Sequence, residues 1–160
     1  MINQYYIMAS PTRTAFEGWS QYLQQEDFDY LIQYIENIQN GISNNEMIIL
    51  FGIGSNGKTT LKNEIYTYLG EELCGYSGTV YELIYEENIK PFIILQEGAI
   101  HWTNKNNKTN KKLINSLINF IRYGISFIDT SFCIDNVNDK ILEHSKIIMM
   151  TQIFPIQNTL

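Results

Sequence analysis

The sequence predicts an α/β fold in which a central, mostly parallel sheet is flanked by helices. Three observations carry that expectation. Met47–Phe51 is an apolar run that enters a glycine-rich turn, and a helical pattern begins directly after it. Phe92–Leu95 is a second run of four apolar residues, as a strand buried on both faces requires. Segments with helical spacing, Phe28 to Asn40 and Lys111 to Tyr123, lie on either side of these runs, and a third strand candidate follows at Lys146–Gln152.

The turn after the first run reads Gly52–Ile53–Gly54–Ser55–Asn56–Gly57–Lys58–Thr59. This is the P-loop spacing: a glycine, four free positions, then Gly–Lys–Thr. Glycines let a backbone curl so that its N–H groups converge on an anion, and the next helix points its positive end at the same place. Lys58 is expected to reach the outer phosphates of a nucleotide, and the Thr59 hydroxyl suits magnesium. Gly52, Gly54, Ser55, Asn56, Gly57, Lys58, Thr59 and Thr60 form the expected phosphate-binding set, with ATP and Mg2+ as the ligands.

Composition sets the frame. The 160 residues are 44% hydrophobic and 18% charged, which suits one globular domain over residues 1–160. Residues 1–45 read as its helical lead-in. No apolar run approaches a membrane span, and the N-terminus lacks the pattern of a secretion signal, so a cytoplasmic protein is expected. Cys74 and Cys133 lie far apart without metal spacing and read as free thiols. The net charge of −6 is uneven. Residues 1–102 hold 13 acids against four basic residues, and residues 103–160 hold four acids against seven basic residues. Bulk acidity excludes indiscriminate nucleic-acid binding and leaves a focused contact open.

In chain order, Pro11 suggests a helix start, and Phe16, Trp19 and Leu23 mark a short packed helix between Ala15 and Gln25. Asp27 or Asp29 is expected to cap the following helix, whose buried stripe is Phe28, Leu31, Ile32, Ile35 and Ile38. Asn40–Gly41 ends it. The P-loop helix should run from Lys58 to Leu69, with Leu61, Ile65 and Leu69 on the sheet and Gly70 as its C-cap. Thr79–Tyr85 reads equally as strand or helix. The second strand ends in Gln96 and Glu97, and Glu97 is the candidate acid that activates water or supports the metal. His101–Asn110 is a polar loop, and Lys105, Lys108, Lys111, Lys112 and Arg122 form a basic segment open to two readings, a solvated face or a phosphate-backbone contact. Trp102 beside it stacks a base or anchors the loop. No zinc site is expected around His101. Ile125–Asp129 and Ser131–Ile134 read as short β segments or a hairpin. The third strand carries Gln152 at its tip, where a polar side chain would sense the outer phosphate.

These motifs together resemble the helicase domain of superfamily 3, especially the poxvirus and giant-virus primase-helicase and phage-type branch. Asn56–Gly57–Lys58–Thr59 matches its P-loop, Ile93–Glu97 its hydrophobic second motif, and Lys146–Pro155 a sensor strand with Gln152 in place of asparagine. Lys105 to Arg122 lies where that family contacts DNA. The resemblance covers residues 28–155 and implies a ring-forming ATPase that moves on DNA. Gln96 stands where relatives carry an acid. The only arginines, Arg13 and Arg122, lie away from the place of the family's arginine finger. A minimal relative of the ATPase core is therefore expected, with slow hydrolysis, assembly into a homo-oligomer or beside a larger replication protein, and single-stranded or duplex DNA as partner. Two other classes fit the P-loop: a non-catalytic nucleotide-binding subunit, and a P-loop nucleotide or nucleoside kinase.

Overall fold

The structure is a computed structural model that describes residues 9–54, 56–96, 108–131 and 133–150. The helices and strands follow in chain order. They are α1 (Pro11–Phe16), α2 (Gln25–Gln39), β1 (Met47–Phe51), α3 (Lys58–Leu69), β2 (Cys74–Ser77), α4 (Val80–Leu83), β3 (Phe92–Leu95), α5 (Lys108–Arg122), β4 (Ser126–Ser131), α6 (Asp139–Glu143) and β5 (Ser145–Met149). A 3-10 turn, Glu17–Gln21, follows α1, so the expected helix from Ala15 to Gln25 is two shorter pieces.

The five strands form one sheet in the order β2-β3-β4-β1-β5, and every neighbouring pair is parallel. Parallel pairing needs a crossover between successive strands, and helices on both faces supply it. On one face α2 and α3 bury Leu31, Ile35, Leu61 and Ile65 against Ile48, Leu50, Ile94 and Ile128. On the other, α4, α5 and α6 bury Val80, Leu117, Ile121 and Ile141 against Met47, Ile49, Ile93 and Phe127. The alternation of Ile48 and Leu50 with Met47 and Ile49 is the period-2 consequence of a strand covered on both sides.

Of the two readings for Ile125–Asp129 and Ser131–Ile134, short β segments or a hairpin, the structure has a β segment without a hairpin: one central strand, after which Ile134 opens a 3-10 turn. β4 lies between β1 and β3 and is buried along its whole length. Hydrogen-bond partners satisfy several of its polar side chains. Asp129 Oδ1 accepts from Thr130 N–H at 2.7 Å, Ser126 Oγ accepts from Asn44 Nδ2 at 3.0 Å, and Ser131 Oγ donates to Cys133 O at 3.1 Å. Buried polar groups are tolerated when paired in this way. The capping role expected of Asp27 or Asp29 is also corrected. Gln24 precedes α2 without a side-chain cap, and both aspartates lie inside the helix. Asp27 pairs with Lys146 at 3.1 Å, and Asp29 with Arg13 at 2.6 Å.

The lead-in is tied to the P-loop helix. Trp19 Nε1 donates to Glu64 Oε2 at 2.6 Å, and Phe16 meets the edge of Tyr68 with centroids 5.3 Å apart. Phe16, Trp19 and Leu23 are buried, as their spacing implied. Tyr34 fastens α2 to the sheet: its hydroxyl lies 2.9 Å from Glu46 O and 3.1 Å from Phe127 O, and accepts from Phe127 N–H at 3.1 Å. Among the described residues no helix is long and apolar enough to cross a membrane. Both cysteines are free thiols, with Cys74 buried.

Candidate functional site

β1 delivers the glycine-rich turn to the C-terminal end of the sheet, and the turn leads into α3. Two glycines permit its path: Gly54 has φ +79 and Gly57 has φ +84, a left-handed region that side chains disfavour. Gly57 is the N-cap of α3, which therefore starts at Lys58. Gly52 is required for another reason. A Cβ there would lie 2.0 Å from Asn56 Nδ2 and 2.3 Å from the carbonyl oxygen of Met150.

The lysine is held inside the loop. Lys58 is 6% exposed, and its Nζ donates to Gly52 O at 2.6 Å, Asn56 Oδ1 at 2.7 Å and Gly54 O at 3.3 Å. Asn56 sets this arrangement from its other end, since its Nδ2 donates to Met150 O at 2.5 Å. The amide thus joins the loop lysine to the exit of β5. Two carbonyl oxygens and an amide oxygen hold the ammonium in a buried place. Thr59 and Thr60 are exposed in the first turn of α3.

The loop helix reaches the second strand as well. Lys62 Nζ donates to Leu95 O, the last residue of β3, at 3.1 Å. Gln96 follows, and its Oε1 would lie 3.5 Å from a Cβ on Gly78, beside the β2–α4 turn. The tip of β4 comes between. Thr130 pairs in register with Leu50 and so lies on the face that α3 covers. It is 1% exposed, and its Oγ1 has no hydrogen-bond partner among the described residues. Sequence patterning missed Thr130, because β4 was not recognised as the strand adjoining β1 on the side of β3. A polar pair at the end of an apolar run, Thr130–Ser131 after Phe127–Ile128, was the available signal.

Of the predicted site residues, the structure gathers Gly52, Gly54, Asn56, Gly57, Lys58, Thr59 and Thr60 around one turn. Ser55, Glu97, Trp102, Lys105 and Gln152 lie outside the described residues. Lys108 opens α5, though its side chain is not described, and Lys111 and Lys112 are exposed one turn further on. Arg122 does not join them. It ends α5 roughly 20 Å along the helix axis from Lys108. It faces the opposite end of the sheet, in a cavity of about 500 Å³ lined also by Asn115, Asn119, Lys140 and His144. Among the described residues no cluster of three or more His, Cys, Asp or Glu side chains could hold a metal ion. Thr59 alone of the two predicted magnesium ligands falls within the described part.

No known family profile and no curated protein matches the sequence. Among solved structures, the chain is similar to the Thermotoga maritima RuvB Holliday junction branch migration motor, at 16% identity and a TM-score of 0.55 over 82% of this chain. It is similar to C. elegans PCH-2 at 11% identity and a TM-score of 0.53 over 86% of this chain. A point variant of the same Thermotoga maritima RuvB matches at 17% identity and a TM-score of 0.51 over 82%. In each case the chain spans 46% of the other protein's length. At such identities the likeness is one of fold. What is shared is an α/β sheet flanked by helices, and the likeness does not single out the superfamily 3 branch.

Proposed function

We propose that this protein binds ATP at Gly52–Thr60 and hydrolyses it slowly. One observation carries the reading: a glycine turn with no room for a Cβ at Gly52 encloses an ammonium group at the head of a helix. The residues fit a magnesium-bound triphosphate. Backbone N–H groups of the turn and the N-terminal end of α3 would hold phosphate oxygens, Lys58 would face the outer phosphates, and the Thr59 hydroxyl would hold the metal. Magnesium, when bound, supplies positive charge against the phosphate oxygens.

The chain's own groups supply the rest. Lys58 stabilises negative charge that develops on the outer phosphate, in a place where burial strengthens the interaction. Glu97 comes two residues after Leu95, whose carbonyl Lys62 ties to α3, and it is our candidate to orient or deprotonate water. The buried Thr130 hydroxyl, on the face that α3 covers, is a further candidate to hold that water, in addition to Gln152. The helicase-like reading rests on the motif resemblance and on the solved RuvB motor, and it makes DNA the expected partner and a ring the expected assembly.

Gln96 favours a second reading, a nucleotide-binding subunit without turnover, because an amide in that place cannot act as a base. The kinase reading loses support from the arginines. Arg13 pairs with Asp29 and lies over the Phe28 ring at 5.1 Å, and Arg122 faces the other end of the sheet. Calorimetric titration with ATP and magnesium, alongside phosphate release with and without single-stranded DNA, tests the proposal. Lys58→Ala should abolish both binding and release. Normal ATP binding by Lys58→Ala would overturn it, and tight binding with no release would favour the second reading.

A further inference from the structure

Beyond the P-loop, the C-terminal end of the sheet carries a second group of side chains that the phosphate site does not use. α4 is a single turn, yet it is firmly seated. Thr79 caps it by accepting from Glu82 N–H, and Val80 and Leu83 are each 1% exposed in the core cluster that holds Ile114 and Leu117 of α5. Its outward side bears two tyrosines four residues apart. Tyr81 is 53% exposed and Tyr85 69%. Their rings meet edge to face, with centroids 5.1 Å apart and planes at 62°, and the Tyr85 hydroxyl donates to that of Tyr81 at 3.1 Å. An edge-to-face pair leaves ring faces open to a further flat partner.

The surroundings carry both signs of charge: the exposed carboxylates of Glu86 and Glu87 directly beyond Tyr85, and lysines on the α5 side. Lys111 and Lys112 are exposed on that helix. α4 packs on α5 through Val80 and Leu83 with Ile114 and Leu117, so the tyrosines of α4 and the lysines in the first turns of α5 belong to neighbouring helices. Glu82 turns away, accepting from Gly78 N–H at 3.0 Å and from Ser77 Oγ at 3.3 Å. Because β2 and β1 run parallel and α4 follows β2, this surface opens at the same end of the sheet as the P-loop. Three strand spacings separate the two strands, about 14 Å.

We propose that Tyr81 and Tyr85, with Lys111 and Lys112, form a contact surface for single-stranded nucleic acid. The rings stack on unpaired bases and the lysines meet the phosphates that join them. This rests on the reading of the basic segment as a phosphate contact and adds the residues that recognise bases. Exposed rings without a neighbouring ammonium would suit any apolar partner. Rings and lysines together match a chain of flat bases and regularly spaced negative charges. A duplex hides its base faces and would gain only from the lysines.

The test is fluorescence anisotropy of the full chain with labelled 20-mers of dT, of U and of duplex DNA, across a salt series. Tyr81→Ala/Tyr85→Ala should weaken single-strand binding by roughly 10- to 100-fold and leave any duplex binding unchanged. Tyr81→Phe/Tyr85→Phe, which keeps both rings, should bind within about threefold of the parent, since stacking needs the ring and not the hydroxyl. Lys111→Ala/Lys112→Ala should flatten the salt dependence by about 0.7 in log–log slope for each phosphate that is no longer neutralised. The dT and U arms decide between DNA and RNA as the strand bound. If the lysine variant weakens binding and the alanine pair does not, the base-stacking surface is overturned and the phosphate contact stands. If no oligonucleotide binds the parent chain while ATP does, both are overturned and the P-loop reading is untouched. Tyr85→Ala alone, at the more exposed ring, serves if the double variant fails to fold.

Discussion

Gly52→Ala concentrates the logic of the phosphate site in one methyl group. The added Cβ would lie 2.0 Å from Asn56 Nδ2, 3.1 Å from Asn56 Cγ and 2.3 Å from Met150 O. Non-bonded heavy atoms settle at about 3.5 Å or more, so the nearest two contacts overlap by more than about 1 Å. The Asn56 side chain can rotate away only by releasing Met150 O and the Lys58 ammonium. The Met150 carbonyl belongs to backbone held by the bond from Met150 N–H to Phe51 O at 2.7 Å. Overpacking of this kind costs about 1–3 kcal/mol, and an orphaned buried carbonyl adds roughly 1–3 kcal/mol. At about 2–4 °C per kcal/mol for a chain of this size, the melting temperature should fall by roughly 5–20 °C. ATP affinity should fall at least about tenfold, because Lys58 loses the acceptor that fixes it. Differential scanning calorimetry and titration with a fluorescent ATP analogue read the two effects. Gly18→Ala is the control, since nothing lies within 4 Å of its added Cβ. If Gly52→Ala melts and binds like the parent chain, the latch from Asn56 to β5 does not exist in solution and the reasoning fails.

Other perturbations address single features. Thr130→Val removes a buried hydroxyl without a partner among the described residues, so the melting temperature should hold or rise, while ATP turnover drops about tenfold; a clear loss of stability with full turnover would refute the role given to Thr130. Tyr34→Phe strips the hydroxyl that joins α2 to Glu46 and Phe127 and should destabilise by about 1–3 kcal/mol in urea unfolding, with ATP affinity unchanged. Burial pushes the Cys74 thiol up to about 12 from an ordinary 9.0, so the folded state favours the protonated form. The stability this gives is complete below pH 9.0 and is lost as pH rises towards about 12; over that window Cys74→Ala should show a shallower loss of stability than the parent. At neutral pH iodoacetamide should label Cys133, which is half-buried, before Cys74.

The P-loop and its helix were legible because their causes are local. Gly57 and Gly70 bound α3 through their own backbone angles, φ +84 and φ +83, and the helix runs from Lys58 to Leu69 as its spacing implied. β1 and β3 were legible because burial on both faces leaves a run of apolar residues in the chain itself. α4 and β2 were not, since four residues carry too little periodicity to separate one element type from another.

The sequence by itself determined that a glycine turn between strand and helix would present Lys58 and Thr59 at one point. Only the tertiary structure decided what stands beside that turn. It placed β4 between β1 and β3 and brought Thr130 to the face covered by α3. It separated Arg122 from the lysines of α5 and packed α4, which bears Tyr81 and Tyr85, against that helix. A strand's position in a parallel sheet follows from crossovers between residues far apart in the chain, and no local pattern of side chains encodes that order.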